Sequence, residues 1–199
     1  SKPTDGGYFF LTPEEKQVIV RKEPQSEKYI RKVLGAQEYI NNVERYCLWL
    51  VGITPSELKS SPMIYERVKK VREFRLASKA ESTRKFADRP TEFKQNAQPN
   101  KPYLIVPRVS SENRRYVPIG YIDPEVIATD ATQIIPNATL YEFGVITSNV
   151  HMAWMITVAG RLKSDYRYSS TIVYNTFPWP KITEEQKEYI SKTAQGILD

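Results

Sequence analysis

The chain carries one histidine, His151, and one cysteine, Cys47. A hydrolase triad would need His151 as its base, but His151 sits in the apolar run Val150-His151-Met152-Ala153-Trp154. A structural histidine is the better reading there. Cys47 lies in the strand-like run Tyr46-Cys47-Leu48-Trp49-Leu50, which reads as a buried, inert thiol. A lone cysteine excludes an internal disulfide. One histidine and one cysteine cannot build a zinc site without several carboxylates. The paired carboxylates Glu14-Glu15 and Glu184-Glu185 fall at expected helix starts, where the helix dipole accounts for them. No glycine-rich phosphate-cradling or dinucleotide loop is present, and Asp5-Gly6-Gly7 is only a flexible entry.

The remaining signal is one of binding. Arg108, Ser110, Ser111, Asn113, Arg114, Arg115 and Tyr116 form one cluster, and Lys163, Tyr166, Arg167 and Tyr168 form another. Arginine grips phosphate or meets guanine bidentately, and serine and asparagine bond phosphate oxygens. Glu112 suits either accepting from cytosine or orienting a neighbouring arginine. Ordinary solvated turns explain the same residues equally well on composition alone. The segment from Glu66 to Lys85 holds Arg67, Lys69, Lys70, Arg72, Arg75, Lys79, Arg84 and Lys85 against Glu66, Glu73 and Glu81. A solvated helix face accounts for most of that run. The net charge of +6 and pI of about 9.2 suit a polyanionic partner.

The elements that must position these residues follow from caps, breakers and periodicity. Thr12-Pro13-Glu14-Glu15 opens a helix that ends near Lys22, before Pro24. A second helix is expected from Ser26 to Leu34, stopped by Gly35, and a buried strand from Arg45 to Val51. Thr54-Pro55-Ser56-Glu57 is another capped start. The longest helix is expected from Met63 to Phe86, with Ile64, Val68 and Val71 on one face. Prolines 90, 99 and 102 mark the connector Asp88 to Lys101 as a loop. Tyr103 to Val109 and Arg115 to Ile122 read as a hairpin around Ser110 to Arg114, with an edge or bulge forced by Pro107 and Pro118. Short strands are expected near Val126 to Ala128 and Gln133 to Ile135, one or two helices from Thr139 to Gly160, and an extended Thr171 to Tyr174. Thr183-Glu184-Glu185-Gln186 opens a final amphipathic helix.

The fold class is α+β: a small twisted, mostly antiparallel sheet with packed helices and helical segments at both ends. With 40% hydrophobic and 26% charged residues, one ordinary core is within reach. No apolar run is long enough to span a membrane. The start, Ser1-Lys2-Pro3-Thr4, carries neither methionine nor a signal peptide and is expected to be a cut end.

Several stretches in order resemble the C-terminal part of MmeI-like (Type IIL/IIG) restriction–modification enzymes. They are Pro3-Thr4-Asp5-Gly6-Gly7, Glu38-Tyr39-Ile40-Asn41-Asn42, Arg45 to Leu50, and Val71-Arg72-Glu73-Phe74-Arg75. Further on are Val109 to Pro118, Pro136 to Tyr141, His151-Met152-Ala153-Trp154, Gly160 to Ser169, and Tyr174 to Pro180. The resemblance implies a target-recognition domain that reads double-stranded DNA for an adenine-N6 methyltransferase domain of the same polypeptide. It implies a helical linker over residues 1–43, the recognition domain over 44–181, and a C-terminal helix over 182–199. Catalysis is not expected from this chain, because it has no Asn-Pro-Pro-Tyr-type motif and no nuclease motif. S-adenosylmethionine is expected only in the parent enzyme, as is Mg²⁺ where that parent also cleaves. No cofactor or metal is expected here, and the location is expected to be a bacterial cytoplasm. The backbone grip is expected from Arg75, Arg108, Ser110, Ser111, Arg114, Arg115, Tyr116, Lys163 and Arg167. Base reading is expected from Glu92, Lys94, Gln98 and Glu112, on the reasoning that base-choosing residues differ between enzymes and shared motifs do not. The segments Phe86 to Lys101 and Asp123 to Gln133 are the favoured specificity regions. The competing expectation is a scaffold domain docking on a methyltransferase or another subunit.

Overall fold

A computed structural model describes residues 1–199. In chain order its elements begin with β1 (Phe10–Leu11), α1 (Pro13–Lys22), β2 (Ile30–Leu34), α2 (Ala36–Asn41), β3 (Tyr46–Leu48), α3 (Pro55–Lys59), α4 (Pro62–Leu76) and α5 (Glu81–Lys85). They continue with β4 (Tyr103–Pro107), β5 (Val109–Ser110), β6 (Gly120–Ile122), β7 (Ile127–Ala128), β8 (Thr132–Pro136), α6 (Leu140–Ile146), α7 (Asn149–Val158), β9 (Gly160–Leu162), β10 (Asp165–Arg167) and α8 (Glu184–Leu198). The fold is α+β, as expected, but the strands form three small sheets instead of one. Two compact units share the chain. The first comprises Ser1–Leu34, Asn41–Gln98 and Glu125–Thr129, and the second comprises the remainder.

The first unit is built on the sheet β1-β3-β2-β7, antiparallel except for the parallel β2–β7 pair. Thr12 and Thr54 close full capping boxes with Glu15 and Glu57 at the starts of α1 and α3. Ile64, Val68 and Val71 of α4 do share a buried face and pack with Phe9, Leu48 and Phe93 in the core. The helix expected over Ser26 to Leu34 does not form. Pro24–Tyr29 is a 3₁₀ turn and Ile30–Leu34 is strand β2, paired on both sides, so sheet pairing overrides the local periodicity. The helix expected to run to Phe86 stops at Leu76, and the chain turns back around Arg75.

Arg75 explains that turn. It is fully buried and its guanidinium is spent on backbone carbonyls. Nε donates to Thr4 at 2.9 Å, Nη1 to Arg89 at 2.8 Å and Phe86 at 3.5 Å, and Nη2 to Pro3 at 2.9 Å and Glu92 at 2.6 Å. One side chain thus fastens the N-terminal segment and the connector after α5 to α4. The expectation that Arg75 grips DNA is therefore corrected, because no donor is left for a phosphate.

The second unit is built on the sheet β6-β4-β8, with β4 buried at every position. Leu104 and Val106 point to one face. Leu104 joins Phe143, Ile146 and Ala194 of α6 and α8, and Val106 joins Met152, Met155 and Val173. The α6–α8 approach is close. A Cβ on Gly144 would stand 2.9 Å from Ile190 Cγ2 and 3.1 Å from Ala194 Cβ. The expected hairpin is only partly present. Tyr103, Leu104 and Ile105 pair with Ile122, Tyr121 and Gly120, and β6 is an edge strand. Between them the chain leaves the sheet, because β5 pairs with β10 and Val117 is buried against Met152. Thr139 and Thr183 close capping boxes on α6 and α8.

Candidate nucleic-acid interface

The third sheet, β5-β10-β9, lies in the second unit and joins the two basic clusters that the sequence keeps about fifty residues apart. Tyr166 pairs with Ser110 on one side and Arg161 on the other, and Arg167 pairs with Val109 and Gly160. The Tyr168 amide donates to the Arg108 carbonyl at 2.8 Å, extending the same ladder. Lys163 heads the exposed β9–β10 turn with a left-handed φ of 58°, a conformation a β-carbon disfavours.

Charge is unevenly compensated here. Arg161 stacks over the Tyr166 ring at 3.9 Å, donates to the Ser164 carbonyl at 2.7 Å and lies 3.5 Å from a Glu112 carboxylate oxygen. Glu112 is thus within ion-pair distance of an arginine. Arg108, Arg114, Arg115, Lys163 and Arg167 have no carboxylate partner. Arg114, Arg115, Lys163 and Arg167 are exposed, and Arg115 lies over the Tyr116 ring at 5.3 Å. Such cations in one sheet and its rim make an electropositive surface. The other grip candidates are placed differently. The Tyr116 hydroxyl donates to Asn149 Oδ1 at 2.7 Å, Ser111 Oγ accepts from the Asn113 amide at 3.3 Å, and Ser110 of β5 is buried. Burial of Ser110 corrects the expectation that it reaches a phosphate.

A cleft of about 370 Å³ opens beside this sheet, between Arg108, Arg167 and Gln133 and the segment Ser169–Ile172. Thr171 to Tyr174, expected to be extended, falls in a π-helical turn over Ser170–Tyr174, closed by the Asn175 amide on the Ser170 carbonyl at 2.8 Å. Gln133 ends the favoured segment Asp123 to Gln133, whereas Ser170 and Thr171 were not singled out from the sequence. Their only signal is local: Ser169 at the start of the turn caps the Ile172 amide.

The connector candidates sit in the first unit and are engaged. Gln98 spends both ends of its amide on β7 and the residue before it, donating to the Val126 carbonyl at 2.8 Å and accepting from the Ala128 amide at 3.2 Å. Lys94 donates to Thr83 Oγ1 at 2.7 Å and Ser82 Oγ at 3.1 Å, and Glu92 pairs with Arg89. These bonds hold the loop in place. The basic face of α4 and α5 is likewise partly neutralised, by Lys69–Glu66, Lys85–Glu81 and Arg67–Glu15 pairs.

His151 is fully buried, with Nε2 2.9 Å from the Tyr168 hydroxyl and its ring edge-to-face with Phe177 at 4.6 Å. Burial lowers its pKa to about 4, so it is neutral and closed to substrate. Cys47 is fully buried and its thiol is pushed up to about 12, mainly by burial.

The family described as MmeI, target recognition domain, matches residues 1–181. The DNA methyltransferase A of Bacillus subtilis (strain 168) is 38% identical over 197 residues, covering 99% of this chain and 22% of that protein. A solved structure of the Type IIL restriction–modification enzyme MmeI in complex with DNA superposes with a TM-score of 0.96 at 48% identity, covering 99% of this chain and 26% of that one. The chain thus spans about a quarter or less of the length of these relatives.

Proposed function

The chain belongs to the MmeI target recognition domain family, and on that premise we propose that it reads double-stranded DNA for catalytic domains carried elsewhere on a longer polypeptide. The observation that supports this reading is the β5-β10-β9 sheet, where cations from two distant segments gather and only Arg161 has a carboxylate partner, Glu112. The DNA-bound state of the MmeI relative supports the same partner. The parent activity proposed is site-specific adenine-N6 methylation with S-adenosylmethionine, with Mg²⁺ where cleavage accompanies it, in a bacterial cytoplasm. No helix is long and apolar enough to cross a membrane. Arg108, Arg114, Arg115, Lys163 and Arg167 form the proposed backbone grip, and Glu112 acts through Arg161.

Duplex binding by the 199-residue chain, followed by fluorescence anisotropy as salt is raised, tests the reading. Affinity is expected to fall steeply between about 50 and 200 mM salt, as for a protein that neutralises several phosphates. Absence of duplex binding at low salt, together with a salt-insensitive protein contact, would favour the scaffold reading instead.

A further inference from the structure

Asn149 and His151 stand two residues apart in the first turn of α7, so their side chains leave the helix on different sides. Each meets a tyrosine hydroxyl, and the two tyrosines come from different basic clusters. The Tyr116 hydroxyl donates to Asn149 Oδ1 at 2.7 Å, and the Tyr168 hydroxyl lies 2.9 Å from His151 Nε2. A third tie runs from the Val117 amide to Met152 Sδ at 3.5 Å, and Val117, Met152 and Tyr168 share one buried cluster with Val106 of β4. The turn is itself fixed, because Ser148 Oγ accepts from the His151 amide at 3.2 Å and donates to the Val145 carbonyl at 2.6 Å. Both tyrosines lead on to cations. Arg115 lies over the Tyr116 ring at 5.3 Å. Tyr168 directly follows Arg167, and its amide donates to the Arg108 carbonyl at 2.8 Å. His151 is fully buried, and its Nδ1 has no hydrogen-bond partner. An apolar side chain would fill the same space without that penalty, so what the imidazole supplies is a fixed place for the Tyr168 hydroxyl. We infer that the first turn of α7 positions both basic clusters, Asn149 acting through Tyr116 on Arg115, and His151 acting through Tyr168 on Arg167 and Arg108. The inference rests on the DNA-reading function and adds no contact to it, since Asn149 and His151 are positioning residues that act through the tyrosines.

The test uses the full 199-residue chain and one duplex of arbitrary sequence titrated over a salt series, with amide exchange of the free chain alongside. Asn149→Ala and Tyr116→Phe are each expected to weaken duplex binding about threefold and to make the log–log salt slope shallower, with the melting temperature within about 2 °C of the unmodified chain. The double variant is expected to lose no more than either alone, because both changes cut one link. Asn149→Ala is also expected to speed exchange at the Val117 amide and leave that of α8 in place, a local loosening that a general loss of stability would not give. Tyr168→Phe reads the other branch, with a loss of about threefold that adds to that of Asn149→Ala because different cations are involved. The exposed Asn149–Tyr116 pair carries the test if Tyr168→Phe melts early. Additive losses within that pair would overturn the inference, because the Tyr116 hydroxyl would then meet the duplex itself. Unchanged affinity and slope in the folded variants would overturn it and leave the DNA-reading function standing. Failure of the unmodified chain to bind the duplex at low salt would overturn both.

Discussion

The hydroxyl of Tyr168 and Nε2 of His151 lie 2.9 Å apart in the core of the second unit, and no solvent reaches the imidazole. Burial favours the neutral ring, so the folded chain takes up this proton only near pH 4, whereas an unfolded histidine takes it up near 6.5. Between those values the unfolded state binds more protons. Stability contributed by neutral His151 is therefore complete above pH 6.5 and is lost as pH falls towards 4. The loss is expected to be about 3 kcal/mol at most. Denaturant midpoints measured from pH 7.5 to 4 should show it, and His151→Gln should show a shallower fall over the same window. Parallel curves for the two proteins would contradict the assignment.

Arg75 and Arg72 stand three residues apart on α4 and are equally basic in the sequence. Arg75 is buried on five backbone carbonyls, whereas Arg72 is exposed. Arg75→Met is expected to cost about 3 kcal/mol or more, because buried carbonyls lose charge-assisted donors. Arg72→Met should stay within about 0.5 kcal/mol. Urea unfolding of the two variants makes the comparison directly.

The contrast also marks where local reading stops. Caps at Thr12, Thr54 and Thr183 were legible because each involves residues three apart, and the buried stripe of α4 was legible because it is periodic. Strand β2 was not, since Tyr29, Ile30, Val33 and Leu34 also suit a helix and only β3 and β7 decide otherwise. The basic clusters were visible as residue types, but their union in one sheet depends on a register between Tyr166 and Ser110 that no local pattern contains. Burial of Arg75 and Ser110 was invisible for the same reason, since their environment comes from distant segments.

Gln98 is expected to behave as a fastener. Gln98→Leu removes two bonds to the Val126–Ala128 segment and should lower stability by about 1–2 kcal/mol. The DNA sequence preference, read by selection from a randomised duplex pool, should stay as it was. A changed preference with unchanged stability would return Gln98 to the base-reading set.

Gly144 permits the close approach of α8 to α6. Gly144→Val would drive a side chain into Ile190 and Ala194, 2.9 and 3.1 Å from the new Cβ. The expected cost is about 1–3 kcal/mol, with faster amide exchange along α8. An equal response to Gly196→Ala, where nothing lies within 4 Å, would argue against a packing cause.

The fourth strand of the first sheet, β7, is drawn from Glu125–Thr129, after the chain has already laid down β4 and β6 of the other unit. No single cut in the gene separates the two units. A recombination event with one crossover between relatives would hand each product a mixture of both cores, and a transplant that keeps the first unit whole must carry Glu125–Thr129 along as a separate insert. New binding behaviour is therefore more accessible to this architecture through substitutions on the β5-β10-β9 sheet and its cleft than through exchange of contiguous blocks.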